Sequence, residues 1–234
     1  MKSIFYTFFN SRTDIDYFLN CDNFHNLIIF YCYSPPTNVS GKNIKMINSS
    51  SLDFNKKNND FLISRIIKFQ PWLFINDTYE NYVYFDYRVK LSKKFISDCD
   101  NIKSPCFLKH REGGFLRDEI IRIICRDKES CSNLIKYLKF FKNFDRINIT
   151  ENGVMVLTKK LSNSIKEMSP WFHKIKRDQI LTPLFLSNHK TNYFNYTLDN
   201  KLCFNVRPKK LNFLNYIKLF YNEIVFTFIR YWKK

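Results

Sequence analysis

A carboxylate at the end of an apolar strand is the residue of this sequence best placed to do chemistry. The run from Tyr82 to Phe85 is typical of a buried strand, and Asp86 follows it directly, with Arg88 two residues later. In open α/β sheets, ligands bind beyond the carboxyl ends of the strands. An ionised acid there needs a cation, a metal or several donors, because an uncompensated carboxylate is costly to bury. A turn residue that caps the strand is the alternative interpretation of Asp86.

Two later segments carry polar side chains at the edges of predicted elements. Asn152 and Gly153 precede an apolar strand, where the glycine permits close approach and the amide offers both a donor and an acceptor. Asp178 and Gln179 open a helix, near its positive end. A hairpin turn and a helix cap are the alternative interpretations. Arg65 and Asp86 precede these two pairs in the chain, and all of them lie at the edges of predicted elements. This combination favours one shared site over a coincidental arrangement.

The surrounding pattern predicts an α/β fold in which strands alternate with helices. The predicted strands cover 4–9, 27–33, 44–47, 82–86 and 152–157. The predicted helices cover 61–72, 115–126, 131–141, 161–175 (apart from Pro170) and 178–186, with a loop at about 105–114. Such alternation indicates a mostly parallel sheet with helices on both faces.

The composition is that of one folded domain with anionic partners. The 234 residues are 45% hydrophobic and 18% aromatic, which supplies ample material for a core. The net charge of +17 favours nucleotide phosphates, nucleic acid or acidic lipid. Seven cysteines without a CxxC motif predict reduced thiols and argue against structural zinc. With no signal peptide or membrane-spanning run in the sequence, we expect a cytoplasmic protein.

Several short motifs together resemble a known family. They are Ser64 to Phe74, Tyr82 to Arg88, Lys109-His110-Arg111 with Asp118-Glu119, Glu151 to Leu157, Trp171, and Arg177-Asp178-Gln179. In their order and spacing the chain resembles the glycosyltransferase-like family that includes plant mucilage-related proteins and proteins described as alkaline ceramidases. More distantly it is similar to the family-eight retaining glycosyltransferases. The resemblance runs from about Ile4 to Leu186.

This resemblance implies a GT-A fold, a nucleotide-sugar donor, and transfer of the sugar to a hydroxyl of a glycan or lipid-linked acceptor. It implies that Asp178 and Gln179 border the transferred sugar and its anomeric centre, and Asp178 is the first candidate for the acid nearest the reaction. The implied donor-binding residues are Thr7, Arg65, Asp86, Arg88, Asn152 and Gly153. His110 and Arg111 are candidates for acceptor or phosphate contacts, with a solvent-exposed loop as the alternative for His110.

A divalent cation, Mn²⁺ or Mg²⁺, is implied by the same resemblance, because Asp86 matches the first acid of an Asp-x-Asp motif. The third position of that motif is Arg88 instead of an acid. In an extended chain the two side chains point to the same side. Our hypothesis is that Arg88 partly replaces the metal by pairing with the donor diphosphate. A surface ion pair is the alternative for Arg88.

The end of the chain differs from the domain predicted for residues 1–210. Residues 201–234 contain eight Lys and Arg against one acid, Glu223, a net charge of +7. The segment 211–234 is predicted to be an amphipathic, aromatic-rich helix. It suits the surface of an anionic membrane, which would place the protein peripherally on an inner membrane face. Packing on the domain or on a second subunit is the alternative.

Two other classes of function remain open. A non-catalytic protein that binds nucleic acid or a membrane surface is compatible with the charge and the aromatic residues. Nucleic acid is the less favoured partner, since no known nucleic-acid motif is present. A degenerate transferase fold that acts only as a scaffold is compatible with the missing second acid.

Overall fold

The strands of the computed structural model bear out the expected α/β architecture. The structure describes residues 2–10, 19–20, 23–37, 39–41, 43–52, 60–75, 79–87, 89–102, 105–109, 115–116, 119–120, 147–175, 177–186, 192–197, 203–205 and 224. Its strands are β1 (Ser3–Phe9), β2 (Leu19–Asn20), β3 (Leu27–Tyr31), β4 (Val39–Ser40), β5 (Ile44–Asn48), β6 (Asn81–Phe85), β7 (Val89–Leu91), β8 (Cys106–Lys109), β9 (Thr150–Leu157), β10 (Asn192–Thr197) and β11 (Cys203–Asn205).

Four α-helices lie within these described residues. They are α1 (Asp60–Phe69), α2 (Lys93–Cys99), α3 (Ser162–Met168) and α4 (Asp178–Leu186). Single 3₁₀ turns cover Ser49–Ser51, Pro71–Leu73, Lys159–Leu161 and Ser169–Trp171. Among the helices described, none has the length and apolar character needed to cross a membrane.

The main sheet has seven described strands in the order β10-β8-β9-β6-β1-β3-β5. β1 pairs in parallel with both β3 and β6, and β3 pairs in parallel with β5. β9 runs antiparallel to β6 and β8, while β8 and β10 are parallel to each other. The sheet is therefore mostly parallel, with one reversed strand inside it. Two small pairs, β7 with β11 and β2 with β4, lie outside this sheet.

Side chains that alternate along the strands build two apolar layers, one on each face of the sheet. Ile4, Tyr6 and Phe8 of β1 point into the layer that also contains buried residues of α1, α3 and α4. Phe5 and Phe9 point into the opposite layer, which α2 covers. Because both faces are covered, the central strands are apolar throughout.

Two predicted boundaries are wrong, and each has a local cause. α1 ends at Phe69 because Pro71 lacks an N–H and restricts the residue before it, so the chain continues as a 3₁₀ turn. The helix predicted over 161–175 apart from Pro170 is interrupted there as expected, by a second such turn, Ser169–Trp171. The loop predicted from Pro105 to Gly114 begins with β8, whose short apolar run gives little sequence signal.

Other predictions lie outside the described residues. These are most of the two helices predicted over 115–126 and 131–141, and the segment 211–234 apart from Ile224. The division at residue 210 stays a prediction.

Candidate active site

A cavity of about 460 Å³ opens beyond the carboxyl ends of β1 and β6. Two carboxylates, three cations and four aromatic side chains lie in its wall. Its described lining residues are Phe8, Asn10, Phe61, Ser64, Arg65, Lys68, Tyr84, Asp86, Tyr87, Arg177 and Asp178. The two aspartates predicted from strand and helix ends therefore share one cavity, although 92 positions separate them in the sequence.

One face of α1 forms a long wall of this cavity. Phe61, Ser64, Arg65 and Lys68 all line it, and their spacing of three, one and three residues places them on the same side of a helix. The opposite side carries Ile67, which is buried in the core. The amphipathic pattern of α1 thus presents its polar stripe to the cavity.

The ion pair between Lys68 and Asp178 joins α1 to the start of α4. Lys68 Nζ lies 2.5 Å from Asp178 Oδ2, and the two side chains are only 14% and 23% exposed. The ammonium also lies 4.7 Å from the centre of the Tyr84 ring, a cation–π contact. From β1, the Tyr6 hydroxyl donates a hydrogen bond of 2.6 Å to the Lys68 carbonyl oxygen. Lys68 is therefore fixed by contacts with residues of both the sheet and α4.

The Asp178 carboxyl group is kept ionised by these neighbours. Burial by itself acts to raise its pKa. The charge and hydrogen bond of Lys68, together with the charge of Arg65, outweigh burial and lower the pKa of Asp178 below its ordinary value. At neutral pH this cavity therefore contains a fixed negative charge beside a fixed positive one.

Arg65 contributes to the cavity wall but uses one nitrogen for structure. Its side chain is only 4% exposed. Arg65 Nη1 donates to the carbonyl oxygen of Phe172 at 2.7 Å and also to that of Ile175. The guanidinium carbon lies 4.2 Å from the centre of the Phe61 ring. Arg65 thereby fixes the segment that leads into Asp178, and its contact with a donor stays a prediction.

Asp86 is positioned by its backbone. Its N–H donates to the Gly153 carbonyl oxygen at 2.8 Å, which extends the β6–β9 pairing by one residue. Its carbonyl oxygen accepts from Val89 N–H at 2.8 Å and so closes a turn. In an extended chain Asp86 points to the same side as Tyr84, toward α1 and the cavity. Gly153 thus positions the backbone of Asp86 from the neighbouring strand β9 and does not line the cavity itself.

Asn152 supports the other aspartate in a similar way. Its side chain is 2% exposed and lies away from the described cavity wall. Asn152 Oδ1 accepts from Thr150 Oγ1 at 2.9 Å, and Asn152 Nδ2 donates to Thr182 Oγ1 at 2.8 Å. The Thr182 hydroxyl in turn donates to the Asp178 carbonyl oxygen at 3.0 Å. This network connects β9 to the first turn of α4.

Two further predicted residues lie apart from the cavity. Gln179 does not line it, and Gln179 Nε2 donates instead to Glu151 Oε1 at 3.2 Å. Thr7 is fully buried, its hydroxyl has no hydrogen-bond partner among the described residues, and it points to the same side of β1 as Phe5 and Phe9. The cavity lies on the other side of that strand. Arg88, His110 and Arg111 lie outside the described residues.

Lys68 and Arg177 lie within the quoted sequence motifs, but the sequence analysis assigned neither of them a role in the site. Lys68 lies three positions after Arg65 on a helix that is otherwise largely apolar. A basic side chain at that spacing lies on the same helix face as Arg65, and this spacing was the signal from which its place in the site could have been predicted. Its acidic partner is 110 positions away, so the pair itself could not be found from sequence.

The part of the chain that the structure describes offers few ligands for a metal ion. No group of three His, Cys, Asp or Glu side chains comes together there. In the cavity Asp178 is paired with Lys68, and Asp86 is the other described carboxylate in the wall. These residues do not form a metal site by themselves, and binding of Mn²⁺ or Mg²⁺ through Asp86 stays a prediction.

Comparison with known proteins supports the fold. No protein-family model matches the sequence, and no curated protein matches it significantly. Among solved structures, the WbbM bifunctional glycosyltransferase superposes with a TM-score of 0.50 over 95% of this chain and 44% of WbbM, at 12% sequence identity. This chain has a GT-A-like fold. It spans less than half of the length of WbbM.

Two further solved structures are similar at lower scores. Mouse xyloside xylosyltransferase 1 has a TM-score of 0.46 and 7% identity, over 83% of this chain and 84% of that one. The galactosyltransferase LgtC, solved with donor and acceptor sugar analogues, has a TM-score of 0.46 and 12% identity, over 82% and 73%.

Two threonines provide a matched test of the network behind the cavity. We expect Thr182→Val to lower the free energy of unfolding by about 1–3 kcal/mol, because it leaves the buried Asn152 amide without its acceptor. Thr7→Val removes a buried hydroxyl that has no described partner, so stability should stay equal or rise by about 1 kcal/mol. Urea denaturation of both variants measures the difference. A larger loss in Thr7→Val than in Thr182→Val would contradict the described hydrogen bonds.

Proposed function

We propose that this protein is a glycosyltransferase that moves a sugar from a nucleotide-sugar donor to a hydroxyl of a glycan or lipid-linked acceptor. The observation that carries the proposal is the meeting of Asp86 and Asp178 in one cavity, alongside Arg65, Lys68 and Arg177. The cavity lies where open α/β sheets bind ligands, in a GT-A-like fold. Its volume of about 460 Å³ is within the range of small-molecule sites.

The cations of the cavity suit a diphosphate leaving group. When the bond to the sugar breaks, the nucleoside diphosphate gains negative charge, which fixed positive side chains stabilise. Arg177 is exposed at the cavity wall and adjoins Asp178 in the chain. Lys68 adds a positive charge deeper in the wall. We assign the diphosphate to this side of the cavity.

The ionised state of Asp178 suits the reacting sugar. Breaking a glycosidic bond passes through a transition state with positive charge on the sugar ring. A carboxylate with a lowered pKa is a weak proton acceptor, but it remains a negative charge throughout the reaction. We therefore assign Asp178 to electrostatic stabilisation of the sugar and not to general base catalysis. The finer relationship to the mucilage-related group is part of this proposal.

The aromatic side chains supply flat apolar surfaces for the donor or acceptor. Phe8, Phe61, Tyr84 and Tyr87 line the cavity, and Phe61 is 43% exposed. Such rings bury large areas with little conformational cost and leave polar groups to set orientation.

A panel of nucleotide sugars tests the proposed function against its alternatives. We expect one member to raise the melting temperature and to release its nucleoside diphosphate when an acceptor is added. Stabilisation by a nucleoside diphosphate without turnover of any sugar nucleotide would indicate an inactive scaffold. A salt-sensitive complex with an oligonucleotide, without any response to the panel, would indicate a nucleic-acid-binding protein.

Conservative substitutions at the two aspartates test their roles. Asp178→Asn removes the negative charge beside the sugar, and we expect turnover to fall about 100-fold or more. Asp86→Asn should weaken the donor complex and raise the KM for the donor. The matched control is Asp98→Asn, an exposed aspartate of α2 on the opposite layer, which should retain full turnover. Full activity in Asp178→Asn would remove that residue from the reaction.

Chelation tests the hypothesis that Arg88 partly replaces a metal. We expect turnover to persist in excess EDTA, because a guanidinium pairs well with a diphosphate. Arg88→Ala should then raise the donor KM, and added Mn²⁺ should rescue little of the loss. Loss of turnover in EDTA with full recovery in Mn²⁺ would show instead that a metal ion supports the reaction.

A further inference from the structure

One helical run packs its apolar side against the core next to the cavity. It comprises the 3₁₀ turn Lys159–Leu161, α3 and the 3₁₀ turn Ser169–Trp171, and it continues into a turn through Lys174. Leu161, Ile165, Met168 and Phe172 are all buried in the same apolar layer. Their spacing of four, three and four residues defines the inner face of the run.

The outer face of this run is strongly basic. Lys159, Lys160, Lys166 and Lys174 are all exposed, and Arg177 extends the row to the cavity wall. We call these five residues the basic stripe. Glu167 is the acid that lies among them in the described residues. With about 1.5 Å of rise per helical residue, the part of the stripe from Lys159 to Lys174 is roughly 20 Å long.

The charge is distributed differently on the opposite layer. The exposed lysines of α2, Lys93 and Lys94, are accompanied by Asp98 and by Asp100 at the helix end. The basic stripe is therefore a local concentration of charge and not only a sample of the overall excess.

An aromatic side chain lies beside the stripe. Trp171 is partly exposed, and Lys174 Nζ lies 4.8 Å from the centre of its ring. Lysines combined with tryptophan on an exposed helix face suit the interface of an anionic bilayer. A single nucleic-acid strand is bound instead in a groove lined by stacking rings. In the described part of this helical surface, the lysines face outward and the ring in contact with one of them is Trp171.

We propose that the basic stripe is the surface through which this protein contacts an anionic phospholipid membrane. Because the stripe ends at Arg177, that contact places the cavity beside the lipid headgroups. Combined with the proposed function, on which this second step rests, the acceptor hydroxyl belongs to a molecule anchored in the membrane.

Co-sedimentation of the full chain with vesicles tests the contact. The vesicles contain equal parts of phosphatidylglycerol and phosphatidylcholine, or phosphatidylcholine alone. The test variant is Lys160→Glu/Lys166→Glu/Lys174→Glu. The matched control is Lys45→Glu/Lys93→Glu/Lys94→Glu, which changes exposed lysines elsewhere and lowers the net charge of +17 by the same six units. Circular dichroism verifies that both variants fold.

We expect the wild-type chain to bind the anionic vesicles and not the neutral ones. At about five-fold per lysine, the stripe variant should lose about 100-fold or more in partition coefficient, whereas the control loses at most a few-fold. Equal losses in the two variants, or no preference of the wild type for anionic vesicles, would overturn the proposal. It would also be overturned if the stripe variant lost binding to a single-stranded oligonucleotide and kept its binding to vesicles.

Stabilisation by a nucleotide sugar, measured in solution as a rise in melting temperature without vesicles, separates this inference from the proposed function. The stripe variant should retain it, because none of its three substituted lysines lines the described cavity. Vesicle binding as expected, together with no rise in the melting temperature of the wild type with any nucleotide sugar, would refute the transferase alone.

Discussion

The ion pair between Lys68 and Asp178 is the interaction on which the described cavity depends. It joins two helices that cover the same face of the sheet, and it is mostly withdrawn from solvent. Burying either charge alone would cost several kcal/mol, so each charge offsets the cost of burying the other. The pair also lowers the pKa of Asp178 and so fixes the sign of the charge presented to a ligand.

A second layer of backbone and amide contacts places the two aspartates. Gly153 holds the backbone of Asp86 from β9, and Asn152 reaches Asp178 through the hydroxyl of Thr182. One reversed strand in a parallel sheet therefore supports both acids. The Asn-Gly pair was predicted to touch the donor, whereas the described geometry gives it a supporting position. A supporting role explains equally well why an amide and a glycine lie at this strand entrance.

Local patterns in the sequence were enough for the α/β class, the main strands, and the positions of Asp86 and Asp178. Each of these depends on a strand or helix end that a few neighbouring residues define. The contacts that join distant segments were not accessible, and Lys68 with Asp178 is the main example. Buried polar side chains such as Thr7 and Asn152 also looked functional, because sequence does not reveal which sheet face they occupy. The strand β8 was missed because its apolar run, Cys106 to Leu108, is only three residues long and lies between Pro105 and a polar, glycine-containing segment.

The most direct test of this account is a titration of the Asp178 carboxyl carbon by NMR, with aspartate labelled with ¹³C and Asp178→Asn for assignment. We predict a pKa below that of an ordinary aspartate in the wild type, because Lys68 and Arg65 outweigh burial. Lys68→Met removes the charge and the hydrogen bond that chiefly offset burial, so the pKa of Asp178 should rise in this variant. An ordinary pKa that stays unchanged in Lys68→Met would contradict the account.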